Sequence, residues 1–144
     1  MCFKITNQSE EDPLLVGFPS NGFVGTFSIS YLIYHLKMKQ IGEIEIPRLP
    51  PTLFVDEGEI LSPIRAYSKN NIFVIISDIP FNQNLIEEFA LVVHEFCKKY
   101  AIKKIVIVSR METINQNNNG PKIYGLVTHT ILKSYFTTIK FLNF

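Results

Sequence analysis

Three glycines and a proline lie close together where a predicted strand meets a predicted helix. Residues 17–25 read GFPSNGFVG. The first amide groups of a helix have no intrahelical partner and therefore bind anions, and glycine lets a phosphate approach the backbone. This turn is a candidate site for a nucleotide or a phosphate. Its candidate ligand-binding residues are Gly17, Pro19, Ser20, Asn21, Gly22 and Gly25.

The turn matches no phosphate or nucleophile motif in full. A P-loop needs Lys and Ser or Thr after its second glycine, and Phe23 and Val24 stand there. A dinucleotide fingerprint needs glycine at position 20, which is Ser20, although Glu45 follows a later strand at the expected distance. A nucleophile elbow around Ser20 needs glycine at position 18, which is Phe18. The alternative is that the glycines allow a tight turn and close packing of the helix on the sheet.

One acidic residue is a further candidate ligand-binding residue. Asp78 follows a buried strand, and open α/β sheets place ligands at the carboxyl ends of their strands. The sequence pairs no base, nucleophile or cation with Asp78, so the alternative is a helix cap. Asp56 and Glu57 are instead typical of a charged hairpin turn.

The sequence offers no metal-binding pattern. The three histidines are far apart, and the residue four positions after His94 is Lys98, so a zinc-protease helix is excluded. We therefore predict no metal, no cofactor and no catalytic residue. A small-molecule enzyme or binder that uses the turn at residues 17–25 together with Asp78 remains the alternative.

The composition is that of a globular, apolar chain. Of its 144 residues 47% are hydrophobic and 19% are charged, which excludes disorder. A formal net charge of +1 argues against nucleic acid or an anionic membrane as a partner. Cys2 and Cys97 form no disulfide framework, so we predict a cytoplasmic protein. The uncharged stretch at residues 13–34 is broken at Pro19, and its remainder is too short to cross a bilayer. We expect one domain over residues 1–144.

The order of apolar segments predicts an α/β fold. Its mostly parallel sheet is flanked by helices and carries an inserted β-hairpin. Ser20 or Asn21 is expected to cap the first helix. The predicted helices span residues 22–37 and 84–100, and the predicted strands span residues 14–18, 41–46, 71–78 and 105–108, with a hairpin at 52–56 and 59–62. After a polar loop we expect a strand at 123–127, a helix at 128–136 and a strand at 138–144.

The first helix carries more apolar side chains than contact with a sheet requires. They point in every direction around its axis, whereas a helix that covers a sheet needs one apolar stripe. A large exposed apolar patch marks a protein interface, so we expect self-association. The alternative is that another part of the chain covers the helix. The candidate interface residues are Phe23, Phe27, Tyr31 and Tyr34.

Several segments together resemble a known family. The pattern Gly17-x-Pro19-x-x-Gly22-x-Val24-Gly25 is similar to the opening signature of the proteasome assembly chaperone 2 family, in its archaeal members. The proline pair at 50–51 before the acidic segment 55–58, the strand that ends at Ser77-Asp78 and the segment 79–83 resemble the blocks that follow. Residues 105–111 and Tyr124-Gly125 continue the likeness, which covers about residues 14–128.

The resemblance implies a fold related to that of nucleoside phosphorylases, without their catalytic residues. It also implies homo-oligomers, and binding of proteasome α subunits or assembly intermediates. This chain stops at Phe144 without the family's Gly-rich C-terminal block, and its last three residues, Leu142-Asn143-Phe144, lack the tyrosine by which some members dock on proteasomes. We therefore expect a short relative without tail docking. The leading hypothesis is a non-enzymatic, cytoplasmic, self-associating chaperone-like protein that acts on proteasome subunits.

Overall fold

Two helices and nine strands form the described part of the chain. The computed structural model describes residues 12–20, 22–49, 51–56, 58–110, 123–128 and 140–141. In chain order the elements are β1 (Pro13–Gly17), α1 (Val24–Leu36), β2 (Lys39–Glu43), β3 (Phe54–Asp56), β4 (Glu59–Leu61), β5 (Ile64–Lys69), β6 (Ile72–Ser77), α2 (Gln83–Lys99), β7 (Lys104–Val108), β8 (Tyr124–Gly125) and β9 (Lys140–Phe141).

The central sheet is mixed, with a parallel core. Its strand order is β2-β5-β6-β1-β7. β1 pairs in parallel with β6 and with β7, so Val16 lies beside Ile75 on one side and Ile107 on the other. β5 is antiparallel to β6, and β2 is antiparallel to β5. The prediction of an α/β fold is confirmed, and the sheet has more antiparallel pairing than the sequence indicated.

The sequence analysis missed β5, which provides this antiparallel pairing. β5 joins β6 through Asn70 and Asn71, whose φ angles are 47° and 62°. Two successive positive φ angles define the turn that matches the twist of a two-residue hairpin, and Asn accepts this conformation more readily than most residues. The Asn70-Asn71 pair therefore indicated a hairpin, and the sequence analysis did not use it.

The two helices cover opposite faces of the sheet. α2 packs its buried stripe, which includes Leu85, Phe89 and Val93, against the sheet residues Leu14 and Val16. α1 packs on the other face, where Ile29 joins a cluster with Val74 and Ile76. The strands β1 and β6 are covered on both sides, which explains why their sequences are continuously apolar.

The edge strand β2 differs from its prediction. The sequence indicated a half-exposed strand over residues 41–46, but β2 spans Lys39–Glu43 and all five of its residues are exposed. Beyond it, Ile44 and Ile46 are buried, and the amide of Ile44 donates to the carbonyl of Ile64 at 2.9 Å. The alternating Ile and Glu residues therefore belong partly to the segment that follows the strand.

The β3–β4 pair is a separate two-stranded antiparallel sheet. Val55 lies beside Ile60, and Asp56 lies beside Glu59. The two strands meet across residues 57–58, where the sequence predicts a charged turn. This pair lies outside the central sheet.

The chain divides into two compact units, residues 1–111 and residues 112–144. In the second unit β8 and β9 pair in parallel, with Tyr124 beside Lys140. Most of the predicted helix at 128–136 and the polar loop before residue 120 lie outside the described residues. The expectation of one domain stays a prediction. Within the described ranges, neither helix is long and apolar enough to cross a membrane.

Candidate functional site

Gly17 and Gly25 allow α1 to approach the sheet backbone. A Cβ atom added to Gly17 would lie 2.4 Å from Cγ1 of Ile29 and 2.6 Å from the carbonyl oxygen of Gly25. A Cβ atom added to Gly25 would lie 2.4 Å from the carbonyl oxygen of Val108 and 2.8 Å from that of Phe18. Such distances exclude any side chain, so close packing of helix on sheet accounts for glycine at both positions.

The turn between these glycines contains two residues with left-handed backbone. Gly22 has φ 81° and Phe23 has φ 54°. Phe23 is the residue that caps α1, it makes no side-chain capping hydrogen bond, and its amide donates to the carbonyl of Ser20 at 2.8 Å. The prediction that Ser20 caps the helix is therefore wrong, because the helix begins too late for its side chain to reach. Asn21 lies outside the described residues.

A cation and a buried hydroxyl lie at this turn. A Cβ atom added to Gly22 would lie 3.1 Å from Nη1 of Arg110, so the guanidinium group lies against Gly22. Oγ of Ser20 is buried and has no hydrogen-bond partner among the described residues, and Pro19 beside it is buried. These groups could meet an anion. Two open depressions of the described chain, however, are not lined by residues 17–25.

Asp78 has a partner that the sequence did not reveal. Its Oδ2 atom lies 2.7 Å from Nη1 of Arg65, and only 9% of the Arg65 side chain and 22% of the Asp78 side chain are exposed. Arg65 also donates from Nη1 to the carbonyl of Ser62 at 2.6 Å and from Nε to Oη of Tyr67 at 3.1 Å. Burial lowers the pKa of Arg65, but the hydrogen bond to Tyr67 and the charge of Asp78 outweigh it and leave this pKa raised. Arg65 therefore remains charged, and its Nη1 and Nε groups already donate to acceptors within the protein.

The alternative interpretation, in which Asp78 caps α2, is wrong. The cap is Asn82, whose Oδ1 atom accepts from the amide of Leu85 at 2.9 Å. The carboxyl end of β6 is instead fixed by Thr26, which donates from Oγ1 to the carbonyl of Ser77 at 3.4 Å. The amide of Asp78 donates to the carbonyl of Pro63 at 2.9 Å. Asp78 thus belongs to a structural network between β5, β6 and α1.

Two open depressions occur elsewhere in the first unit. One of about 430 Å³ is lined by Thr52, by residues 79–82 and by Leu85. The other, of about 280 Å³, includes His94 and Cys97, and burial raises the pKa of the Cys97 thiol. Within the described residues, no three His, Cys, Asp or Glu side chains are grouped as a metal site would require.

The exposed side of α1 and its cap residue carry four large aromatic rings. We call Phe23, Phe27, Tyr31 and Tyr34 the aromatic row; their exposed fractions are 52%, 68%, 60% and 80%. Phe23 and Phe27 lie with ring centroids 6.0 Å apart, and Tyr31 stacks on His35 at 3.9 Å. Phe27, Tyr31 and Tyr34 are three or four residues apart on α1, which places them on one side of the helix, opposite the buried Ile29, and Phe23 joins them through its contact with Phe27. Large exposed rings in this arrangement can bind another protein surface.

A second exposed apolar surface lies on the β3–β4 pair. We call Leu53, Val55 and Ile60 the β3–β4 face; their exposed fractions are 72%, 71% and 67%. Val55 and Ile60 are cross-strand neighbours and share one side of the strand pair, and Leu53 lies directly before β3. The sequence analysis predicted strands here but did not identify this surface.

The family of the protein follows from a match over most of its length. The model of the PAC2 family matches residues 14–139. The chain belongs to the PAC2 family. This confirms the resemblance that the sequence segments indicated, and it places the aromatic row, the turn at residues 17–25 and Asp78 inside the matched region.

The PAC2 chain is similar to archaeal proteins of greater length. It is 31% identical to the uncharacterized protein MJ0106 of Methanocaldococcus jannaschii over 83 residues. This alignment covers 55% of this chain and 35% of MJ0106. Its fold matches the crystal structure of PbaA of Pyrococcus furiosus, an archaeal homolog of proteasome-assembly chaperone, with a TM-score of 0.81 and 26% identity over 93% of this chain and 60% of PbaA. PbaB of the same organism, an archaeal proteasome activator, has a TM-score of 0.66 at 16% identity over 95% of this chain and 64% of PbaB, which shows a common fold. The chain thus spans about a third of MJ0106 and about 60% of PbaA.

Proposed function

We propose that this PAC2 chain is a non-enzymatic, chaperone-like protein that associates with itself and binds proteasome subunits. The observation that carries the proposal is the aromatic row, whose four large rings, on α1 and its cap residue, are each more than half exposed. Exposed apolar surface of this kind is unfavourable in an isolated chain and favourable in a complex. The likeness to PbaA, a homolog of proteasome-assembly chaperone, supports proteasome subunits as the class of partner.

Two finer expectations accompany this proposal. The fold is related to that of nucleoside phosphorylases, with the β3–β4 pair as an insertion, and the protein acts in the cytoplasm without a cofactor. Phe23, Phe27, Tyr31 and Tyr34 are the interface residues, and they require no chemistry beyond apolar contact and the hydroxyl groups of the two tyrosines.

The test compares binding of purified proteasome subunits by the wild type and by an aromatic-row variant. We expect the wild type to co-elute with proteasome subunits in size-exclusion chromatography and Phe27→Ser/Tyr34→Ser to lose this binding. The matched control is Leu91→Ser on α2, because Leu91 is 67% exposed but distant in sequence from the row. Equal binding by all three proteins, or binding by none, would contradict the proposal.

The alternative function is a small-molecule enzyme or binder that uses the turn at residues 17–25 and Asp78. The contact of Arg110 with Gly22 and the unpartnered Oγ of Ser20 favour it over other enzyme classes, because both groups suit a phosphate. Asp78, whose carboxylate is held by Arg65, contributes to this alternative only by fixing the end of β6.

Thermal denaturation with inorganic phosphate and with nucleoside phosphates distinguishes the two functions. A ligand at 100 times its dissociation constant stabilises the folded state by about 2.7 kcal/mol. The alternative predicts such a stabilisation in the wild type and its loss in Arg110→Gln. The chaperone-like function predicts the same melting temperature with and without each ligand.

A further inference from the structure

Three exposed lysines lie at one corner of the central sheet, where α1 ends. Lys37 directly follows α1, Lys39 begins β2 and Lys69 ends β5. Nζ of Lys69 donates to the carbonyl of Leu36 at the end of α1, and Lys39 pairs across the sheet with Ser68, the neighbour of Lys69. We call Lys37, Lys39 and Lys69 the lysine corner.

No carboxylate of the surrounding elements balances the lysine corner. Residues 13–42 and 60–77, which contain β1, α1, most of β2, β5 and β6, include no Asp or Glu. The acids that border them are Glu43, at the far end of β2, and Asp12, before β1, which β6 separates from β5. Within the described ranges, none of the three lysines takes part in an ion pair. Like charges at one corner repel one another and attract an anionic surface.

The end of α1 accounts for only one of these lysines. The last carbonyl groups of a helix carry partial negative charge and attract cations. Lys69 fills this role, because it donates to the carbonyl of Leu36. The side chains of Lys37 and Lys39 have no hydrogen-bond or ion-pair partner among the described residues. Their charges are therefore available to a second molecule.

The lysine corner continues the aromatic row. Tyr34, the most exposed ring of the row, lies in the last turn of α1, three residues before Lys37. His35 is exposed between them and stacks on Tyr31 at 3.9 Å. The surface thus passes from exposed rings to exposed cations, which is the arrangement of an interface with an apolar centre and a charged rim.

We infer that the protein that binds the aromatic row presents an acidic surface to the lysine corner. The inference rests on the proposed function and names the chemistry of its partner, an apolar patch bordered by Asp or Glu side chains. Opposite charges around an apolar contact accelerate association and select the partner. A second copy that packs its α1 on this α1 brings no counter-ion, because residues 13–42 contain no acid in either copy.

A protein suits this surface better than nucleic acid or an anionic membrane does. Nucleic acids and anionic membranes bind through positive charges spread over an extended surface. This chain has a formal net charge of +1 and offers a local group of three lysines beside four exposed rings. A compact acidic and apolar patch of a protein matches both parts of the surface.

A charge reversal at the lysine corner tests the inference with purified proteasome subunits. Lys37→Glu/Lys39→Glu should raise the dissociation constant at least about tenfold at low salt, because like charges then meet. The difference from the wild type should shrink at about 0.5 M NaCl, which screens exposed charges. Lys98→Glu/Lys99→Glu, at the exposed end of α2, is the matched control with the same change of charge and should bind like the wild type. Lys37→Gln/Lys39→Gln is the milder variant, and circular dichroism checks that all are folded.

Two synthetic peptides test the same contact without proteasome subunits. Both are labelled amphipathic helices with the same Phe and Leu residues, and one has Glu where the other has Lys. Fluorescence anisotropy should show that the wild type binds the Glu peptide at least about tenfold more tightly than the Lys peptide. Lys37→Glu/Lys39→Glu should reverse this preference, and the α2 control should keep it.

The remaining outcomes separate this inference from the proposed function. If the wild type binds no proteasome subunit but shows the peptide preference and its reversal, the acidic partner stands and the proteasome partner fails. If subunits bind the wild type and Lys37→Glu/Lys39→Glu equally, or if the wild type shows no peptide preference, the inference is wrong. Equal lysine-dependent binding of a single-stranded oligonucleotide or of phosphatidylserine vesicles would also overturn it, because the lysine corner would then bind any polyanion.

Discussion

Nη1 of Arg65 lies 2.7 Å from Oδ2 of Asp78, and this ion pair joins the start of β5 to the end of β6. Arg65 is almost fully buried on the α1 side of the sheet, where Tyr67 and the carbonyl of Ser62 complete its hydrogen bonds. Without the carboxylate, the buried guanidinium group would keep its charge where water cannot solvate it, which is unfavourable for the folded state. The pair therefore contributes to folding at the position where the sequence predicted a ligand site.

Asp78→Asn should lower the free energy of unfolding by about 1–3 kcal/mol, because it leaves the buried charge of Arg65 without its counter-ion. Urea denaturation followed by circular dichroism measures the change. Asp56→Asn is the matched control, since Asp56 is exposed and makes no ion pair with the described residues. A loss of stability that is no larger for Asp78→Asn than for Asp56→Asn would contradict the structural role of the pair.

Gly25→Ala should destabilise the fold by about 1–3 kcal/mol, the usual cost of overpacking. Its new Cβ atom would lie 2.4 Å from the carbonyl oxygen of Val108, so α1 must move away from β7. Gly42→Ala is the control, because a Cβ atom at Gly42 has nothing within 4 Å. Thermal denaturation of the two variants should show a clear loss for the first and little change for the second. A Gly25→Ala protein as stable as Gly42→Ala would contradict the close packing.

Asn82→Ala should lower the free energy of unfolding by about 1 kcal/mol, because the amide of Leu85 loses its side-chain acceptor at the start of α2. Asn84→Ala lies two residues further along, inside the helix, and should keep or slightly raise stability because Ala has the higher helix propensity. Denaturant titrations of both variants measure this difference. The reverse order of stabilities would show that Asn82 does not cap α2.

Burial raises the pKa of the Cys97 thiol, so the folded chain holds this proton more tightly than the unfolded chain. The resulting stabilisation is fully present below the unfolded-state pKa of about 8.5 and is lost as the pH rises above it. Between about pH 7.5 and about pH 9.5 the unfolding free energy of the wild type should fall more steeply than that of Cys97→Ala. Parallel pH profiles for the two proteins would contradict a buried thiol at this position.

The sequence correctly predicted the elements that have a clear pattern of apolar residues along the chain. β1, β6 and β7 are short apolar runs, and α2 has a regular apolar stripe with Glu and Lys on its outer side, so each was found within a few residues. β5 was missed because Arg65 interrupts its apolar pattern, and this residue is buried only because Asp78 neutralises it across the sheet. Such a long-range pairing is not encoded in local periodicity.

Some features of the candidate site could also be predicted from the sequence, and others could not. The exposure of the aromatic row could be expected, because a helix with apolar residues on all sides has more of them than one sheet face can cover. The use of Gly17 and Gly25 in close packing and the position of Arg110 beside Gly22 depend on how α1 sits on β1 and β7. These relationships appear only when the strands are assembled, so the turn looked more like a ligand site in the sequence than in the fold.

The central claim is that the aromatic row of α1 binds protein, in the first instance another copy of this chain. Light scattering of the wild type and of Phe27→Ser/Tyr34→Ser over a concentration series up to tens of micromolar tests it most directly. We predict a mass above that of the 16.6 kDa chain for the wild type, rising with concentration, and the monomer mass for the variant. A wild type that stays at the monomer mass over the whole series, or a variant that associates as strongly as the wild type, would contradict the claim.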